Sequence, residues 1–300
     1  MNSSMVLASF TWPLFKQLLV VGIVVGSTYA LLGVSFSVIY ATTRVFHFAH
    51  AVVYAGTAYI LVLLGKEIGL PWVVAMLGAI AFAIVLGVAI DRGVYRPMRL
   101  RHGTLLALFL ASLGLTIVGP NLIQLIFGPN TKLFQPISVH SYSLGSTTFT
   151  SVDIISVVVC WICIIATLLF LGRTKYGTAT LAMRTNEEMA AAVGISPDRI
   201  TSLVFALGSA LVAIPALIYM LNHGATPGMG LTPVLTGFIA VFLGGVGRTS
   251  GAALGGFLIG MITSLSGLWL DQDWQPAVVF GILFVLLIVR PRGILSGAGA

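Results

Sequence analysis

Nine apolar runs follow one another along the chain, separated by short polar connections: Phe15 to Tyr40, Ala49 to Leu64, Trp72 to Ile90, Leu105 to Phe127, Ile154 to Leu171, Ile200 to Leu221, Val234 to Val246, Ala252 to Leu270 and Ala277 to Val289. A helix of about 20 apolar residues matches the hydrocarbon thickness of a bilayer. A backbone immersed in lipid has to satisfy its polar groups within its own segment. The pattern therefore predicts an all-α fold, a polytopic bundle of eight or nine transmembrane spans. Val234 to Val246 is short for a crossing, and a tilted, broken or re-entrant helix is expected there. No linker rich in Ser or Pro interrupts the sequence and no internal repeat is visible at residue level, so 1–300 reads as one membrane domain.

Composition agrees. Hydrophobic residues make up 58% of the chain and charged residues 8%, against about a quarter charged in a soluble domain. The formal charge of +7 does not point to nucleic acid, because the basic residues stand in short clusters between apolar runs and not in a stripe. One cluster holds Arg92, Arg96, Arg99 and Arg101, a second Arg173, Lys175, Arg184 and Arg199, and the C-terminal end Arg290 and Arg292. Short cytoplasmic loops are enriched in Lys and Arg. The segment Gly128 to Ser151 has Lys132 alone, Asn222 to Thr232 has no Lys or Arg, and Asp271 and Asp273 are acidic, so these three should face outside. The C-terminus then lies in the cytoplasm, and nine spans would leave the N-terminus outside. Met1 to Trp12 carries no Lys or Arg and so lacks the basic opening of a secretory signal, which predicts that the first run is retained.

Enzyme chemistry finds no support. Cys160 and Cys163 have no further Cys or His beside them and read as packing residues, so no metal is expected. Metal-binding His and Glu at helical spacing and a serine in a nucleophile elbow are both missing. Gly65-Lys66-Glu67 lacks the upstream glycine and the hydroxyl of a phosphate-binding loop, so this chain is expected to bind no cofactor and to leave ATP to another chain.

Four groups of residues are candidates for a role. The first is the mixed-charge loop Arg173 to Ile200. Thr185, with Glu187 and Glu188 behind it, has the form of a capping box, which predicts a short helix starting there, running through Ala191 and stopping at Gly194. Ser196 and Pro197 then open the next helix. A two-turn helix buries little of itself, so either it docks on another surface or it is a well-capped connector. The second group is His47 and His50, three apart and therefore expected on one helical face. They would line a substrate route, or sit at the cytoplasmic interface bonding a carbonyl. The third comprises Gly22 with Gly26, and Gly244, Gly245, Gly247, Gly251, Gly255, Gly256 and Gly260, many at spacings of four that suit close helix packing. The fourth is a set of polar residues in or beside spans: Ser27, Thr28, Tyr29, Tyr54, Thr57, Asn121, Gln124, Asn222 and Thr236. These would line a path or hydrogen-bond between helices.

Glu188-Met189-Ala190-Ala191-Ala192-Val193-Gly194 resembles the Glu-Ala-Ala…Gly loop of bacterial ABC importer permeases. Together with Gly26-Ser27-Thr28-Tyr29-Ala30-Leu31, Phe48-Ala49-His50, Tyr95-Arg96-Pro97, Leu243-Gly244-Gly245-Val246-Gly247 and Pro291-Arg292-Gly293-Ile294-Leu295, it makes the chain similar to the branched-chain amino-acid ABC permeases of the LivH type over nearly its whole length. The resemblance implies a multi-pass subunit of the bacterial cytoplasmic (inner) membrane. Its partners would be a second related permease, two ABC ATPase subunits carrying ATP and Mg, and a periplasmic solute-binding protein. It assigns Thr185, Glu187, Glu188, Ala191 and Gly194 to coupling with the ATPase, while Ser27, Thr28, Tyr29, His47, His50 and Tyr54 are the candidates for the translocation path. Family members commonly read Asn-Phe-Ala-His-Gly-Glu where this chain has His47-Phe48-Ala49-His50-Ala51-Val52, which leaves urea, amides or another small organic solute as alternative cargo. An ion-gradient carrier or channel using His47 and His50 for protons is the rival from a different transport class.

Overall fold

The computed structural model describes residues 12–136, 138–289 and 293. Arg290 and Arg292, which carry part of the orientation argument, and the residues before Trp12 lie outside the described residues. The elements are α1 (Trp12–Thr43), α2 (His50–Val62) with a π-helical turn (Leu63–Glu67), α3 (Trp72–Ile90) with a second π turn (Asp91–Tyr95), α4 (Arg96–Leu100) and α5 (Leu105–Phe127). A hairpin of β1 (Ser141–Leu144) and β2 (Thr147–Thr150) follows. After it come α6 (Ser151–Arg173), α7 (Lys175–Thr185), α8 (Glu187–Ala192), α9 (Pro197–His223), α10 (Leu231–Gly244), α11 (Thr249–Ser266) and α12 (Gln275–Val289).

The fold is that of a helical membrane protein. Among the described residues six segments are long and apolar enough to cross a bilayer: α1, α3 through α4, α5, α6, α9 and α11. The runs from Ala49, Val234 and Ala277 form the shorter helices α2, α10 and α12 instead, of 13, 14 and 15 residues. At about 1.5 Å per residue each regular helix falls short of a 30 Å hydrocarbon layer. The eight or nine full crossings expected from apolar runs are therefore not met by full-length helices.

Burial sorts the helices by neighbour. Nearly every residue of α2 is buried, from His50 to Val62, so its surroundings are protein and not lipid. The C-terminal half of α1 and most of α9 join it in the core. On α3 Ala75, Ala79, Ala83 and Gly87 form a buried stripe at intervals of four that ends at buried Ile90, while Leu77 and Val85 are exposed. Such a helix turns a small-residue face to its neighbours and a bulky apolar face to lipid.

Glycines bring α1, α10 and α11 together. A Cβ on Gly26 would stand 2.8 Å from the Phe257 carbonyl oxygen, and one on Gly22 would stand 3.0 Å from the Met261 sulfur. Gly256 lies against the Tyr29 carbonyl, Gly260 against the backbone of Gly26, Gly255 against the Ala240 carbonyl, and Gly244 and Gly251 against each other. Gly245 and Gly247 differ: both have positive φ (101° and 91°) and shape the turn between α10 and α11. Gly247 is therefore a turn residue rather than the packing residue its spacing suggested, and the only group near its missing Cβ is the Arg184 guanidinium at 3.8 Å.

The short helix α8 forms where expected, but with a different cap. Thr185 is the last residue of α7, and its hydroxyl donates to the Leu181 carbonyl (3.1 Å). Asn186, in extended conformation, accepts from the Met189 N–H (2.9 Å) and caps α8. Thr185 is already helical and cannot adopt the extended geometry that a cap needs. At the other end the Ile195 N–H reaches the Ala190 carbonyl and the Gly194 N–H the Ala191 carbonyl, a Schellman pair closed by Gly194 at φ 89°. Ser196 and Pro197 open α9 in the expected positions, although the serine side chain makes no cap bond.

The hairpin, which the apolar pattern did not predict, is tied to the start of α1. The Gln17 side chain donates to the Thr148 carbonyl (2.9 Å) and accepts from the Thr148 N–H (2.8 Å). Thr150 and Asp153 form a capping box at the head of α6. Cys160 is buried in the core, and both cysteines are free. Among the described residues no group of three or more His, Cys, Asp or Glu could hold a metal.

Replacing Gly256 by Val drives a branched side chain into the Tyr29 carbonyl. The expected result is a destabilisation of about 3 kcal/mol or more, read as a lower thermal midpoint of the detergent-purified protein, whereas Gly114→Val, at a position with open space, leaves the midpoint in place.

Candidate functional site

Aromatic and amide side chains from α1, α2 and α9 enclose a cavity of about 260 Å³ with α10 and α12 at its rim. Thr28 and Tyr29 come from α1, Tyr54 from α2, and Tyr219, Asn222 and His223 from the last turns of α9. Tyr54 donates its hydroxyl to the Pro215 carbonyl (3.2 Å), fixing α2 against α9 at the level of the proline. Tyr219 stacks on His223 with ring centroids 4.5 Å apart and meets Tyr54 edge-on at 6.3 Å. The Thr28 hydroxyl turns back to the Val25 carbonyl (2.7 Å). A second cavity of about 210 Å³ shares Tyr29 and Gln275 and adds Thr232, Thr236 and Thr263. Neither lining contains Asp, Glu, Lys or Arg. An uncharged pocket of aromatic faces and a few hydroxyl and amide groups accommodates a small solute without net charge.

His47 and His50 lie elsewhere, in a buried polar chain between helices. His47 precedes α2 in an irregular segment, so the pair does not share a helical face; the backbone turn still brings the two rings to 4.8 Å. Nδ1 of His47 bonds the Tyr95 hydroxyl (2.9 Å). Nε2 of His50 bonds the Ser35 hydroxyl (2.7 Å), which donates in turn to the Gly208 carbonyl (2.9 Å). One link thus joins the segment before α2 to the π turn after α3 and the other joins α2 through α1 to α9; the two meet only by ring contact, because Nε2 of His47 and Nδ1 of His50 have no hydrogen-bond partner among the described residues.

Beyond Tyr95 the chain gives way to ions. Asp91, buried at the start of the π turn, accepts from Arg99 at 2.7 Å and from the Ser202 hydroxyl at 3.4 Å. Arg96 pairs with Asp198 at 2.7 Å on the surface. These contacts fasten the end of α3 and the whole of α4 to the first turns of α9.

A family model described as "Branched-chain amino acid transport system / permease component" matches residues 18–288. The chain belongs to that family. It is 31% identical over 296 residues to the high-affinity branched-chain amino acid transport system permease protein BraD of Pseudomonas aeruginosa, an alignment covering 94% of this chain and 96% of the relative. Identity to LivH of Escherichia coli is 29%, with the same coverage. A probable LivH of Methanocaldococcus jannaschii is 24% identical over 297 residues, covering 93% of this chain and 92% of the relative.

In this permease the six path candidates divide. Thr28, Tyr29 and Tyr54 meet in the 260 Å³ cavity; Ser27, His47 and His50 are not among its lining residues. Ser27 accepts from the Trp161 indole N–H (3.0 Å) and so joins α1 to α6. Asn222, singled out from the sequence, stands at the cavity; Tyr219, His223 and Gln275 were not foreseen. The available signal was the polar stripe Tyr219, Asn222, His223, at spacings of three and four on the end of an otherwise apolar helix. The permease's coupling candidates sit together on α8 and its flanks, with Glu187, Glu188 and Ala191 exposed.

Removing the carboxylate of Asp91 strands Arg99 and Ser202 at a buried site, and Asp91→Ala is expected to cost about 3 kcal/mol. Asp198→Ala breaks a pair open to solvent and should leave the thermal midpoint nearly unmoved. Equal losses in the two variants would refute the distinction.

Proposed function

We propose that this permease forms the translocation path of an ATP-driven importer of branched-chain or related small neutral amino acids in the bacterial inner membrane. On this reading it is non-catalytic and constitutes one permease domain with a cytoplasmic C-terminus. It pairs with a second related permease, two ABC ATPase subunits that hold ATP and Mg, and a periplasmic solute-binding protein.

The observation that carries the coupling is α8. Only Ala190 of this helix is buried, while Met189 and Val193, four residues apart, are 67% and 78% exposed. Capped at both ends, α8 is a preformed two-turn wedge whose apolar face has no partner among the described residues, as expected of a helix that seats in a groove of another subunit. ATP-driven closure of the ATPases would move α8, and through α7 and α9 the helices around the cavity. The cavity supplies the cargo side: its uncharged lining suits a zwitterion with an apolar side chain, and the printed names of the BraD and LivH relatives describe branched-chain amino acid transport. That His47 and His50 are not among those lining residues favours this reading over a proton-coupled carrier.

Met189→Asp combined with Val193→Asp is expected to weaken co-purification of the ATPase by at least about tenfold, with membrane insertion intact. Gly194→Leu forces a bulky residue to positive φ and should uncouple hydrolysis from uptake; full leucine uptake by either variant would overturn the role of α8. Asn222→Ala, at the cavity mouth, is expected to lower uptake in reconstituted vesicles while basal ATP hydrolysis persists, and unchanged uptake would remove the cavity from the path.

A further inference from the structure

The three groups that meet at the inner ends of α1, α7 and α11 are all electropositive. Arg248 takes the N-cap position of α11 without a side-chain cap bond. The first backbone bond of that helix runs from the Ala252 N–H to the Arg248 carbonyl, and the N–H groups of Thr249, Ser250 and Gly251 have no partner among the described residues. Thr249, the first helical residue, is 5% exposed, and its hydroxyl is buried with no hydrogen bond. An orphaned buried hydroxyl beside three free N–H groups is unusual, because buried polar atoms nearly always find partners.

One guanidinium group stands beside this helix end and a second lies near the first. Arg184, half-buried at the end of α7, places Nη2 3.8 Å from the position of a Cβ on Gly247, two residues before Thr249. Arg44 is close enough for its charge, together with burial, to push the Arg184 pKa down. Neither makes an ion pair: among the described residues the bridges are Arg96 to Asp198 and Arg99 to Asp91. Arg44 also has φ 56°, and a left-handed arginine at the end of α1 is a strained choice where glycine is usual. Two like charges thus lie together beside a helix N-terminus, with no counter-ion among the described residues.

We propose that Arg44, Arg184 and the free N–H and hydroxyl groups at the start of α11 form a binding site for a phosphate group. Helix N-termini and guanidinium forks are the two recurrent devices for phosphate oxygens, and here they converge. The phosphate can be supplied by an acidic phospholipid of the inner leaflet or by free inorganic phosphate. Occupancy neutralises the repulsion between the two arginines and satisfies Thr249, tying α1, α7 and the turn between α10 and α11 into one unit beside α8. The site is independent of which solute the permease carries.

The test measures the thermal midpoint of the purified chain in nanodiscs of phosphatidylcholine alone or with phosphatidylglycerol, and in detergent with sodium phosphate or sodium chloride at equal ionic strength. An increase with phosphatidylglycerol that is lost in Arg44→Gln and Arg184→Gln, but kept in Lys175→Gln, assigns the site to lipid. An increase with phosphate in detergent that shows the same dependence assigns it to the free anion. Thr249→Val, which keeps shape and loses the hydroxyl, is expected to weaken either response and serves if the arginine variants do not fold. No increase with either anion, an increase of equal size in the Arg184→Gln and Thr249→Val variants, or one that requires the ATPase subunit to be present overturns the proposal.

Discussion

Backbone meeting backbone across glycine holds this molecule together. In lipid, helices gain little from hiding apolar side chains from one another, because the solvent is itself apolar; dispersion contacts and interhelical hydrogen bonds have to supply the association. Gly22, Gly26, Gly256 and Gly260 let α1 and α11 approach to the distance where main-chain atoms touch, and Gly244, Gly251 and Gly255 do the same for α10 and α11. The cavity follows from that seam. With α1 drawn toward α10 and α11, and its core half held to α9 by the bond from Ser35 to Gly208, the bulky side chains of Tyr29, Tyr54 and Tyr219 prop the helices apart and leave room between them.

Much of this arrangement was legible in the sequence. The apolar runs mark the helices because lipid allows few alternatives, and Gly194 marks the end of α8 because few other residues take up positive φ. Three features were not legible. Apolar length did not separate full-length crossings from inner helices, since a run such as Ala49 to Leu64 looks the same whether its neighbours are lipid or other helices; only burial on all sides reveals α2 as an inner helix. Thr185 and Asn186 are adjacent and both can cap, and the choice depends on where α7 stops. The hairpin at 141–150 consists largely of Ser, Thr and aromatic residues without the alternation that would distinguish a strand from a polar loop.

The candidate site was half legible for a related reason. Thr28, Tyr29 and Tyr54 are polar interruptions within apolar runs and attract notice, whereas Tyr219 and His223 sit at a helix end, where polar residues are ordinary. What joins them is a separation of more than 160 residues in the chain closed by the α2 to α9 contact, which no local pattern encodes. His47 and His50 illustrate the converse. Their spacing suggested a shared helical face toward a path, but an irregular segment before α2 turns His47 onto Tyr95 and leaves His50 on Ser35, so both serve as links between helices.

The amide of Gln17, which grips Thr148 through both its oxygen and its nitrogen, has a consequence for the far side of the membrane. It makes the hairpin and the first two turns of α1 a single body. The 32 residues of α1 form an unbroken helix about 48 Å long, and no proline interrupts it beyond its first turn. An unbroken helix of that length carries a tilt imposed at the hairpin along its axis toward Arg44, so the hairpin and the opposite end of α1 share one stem.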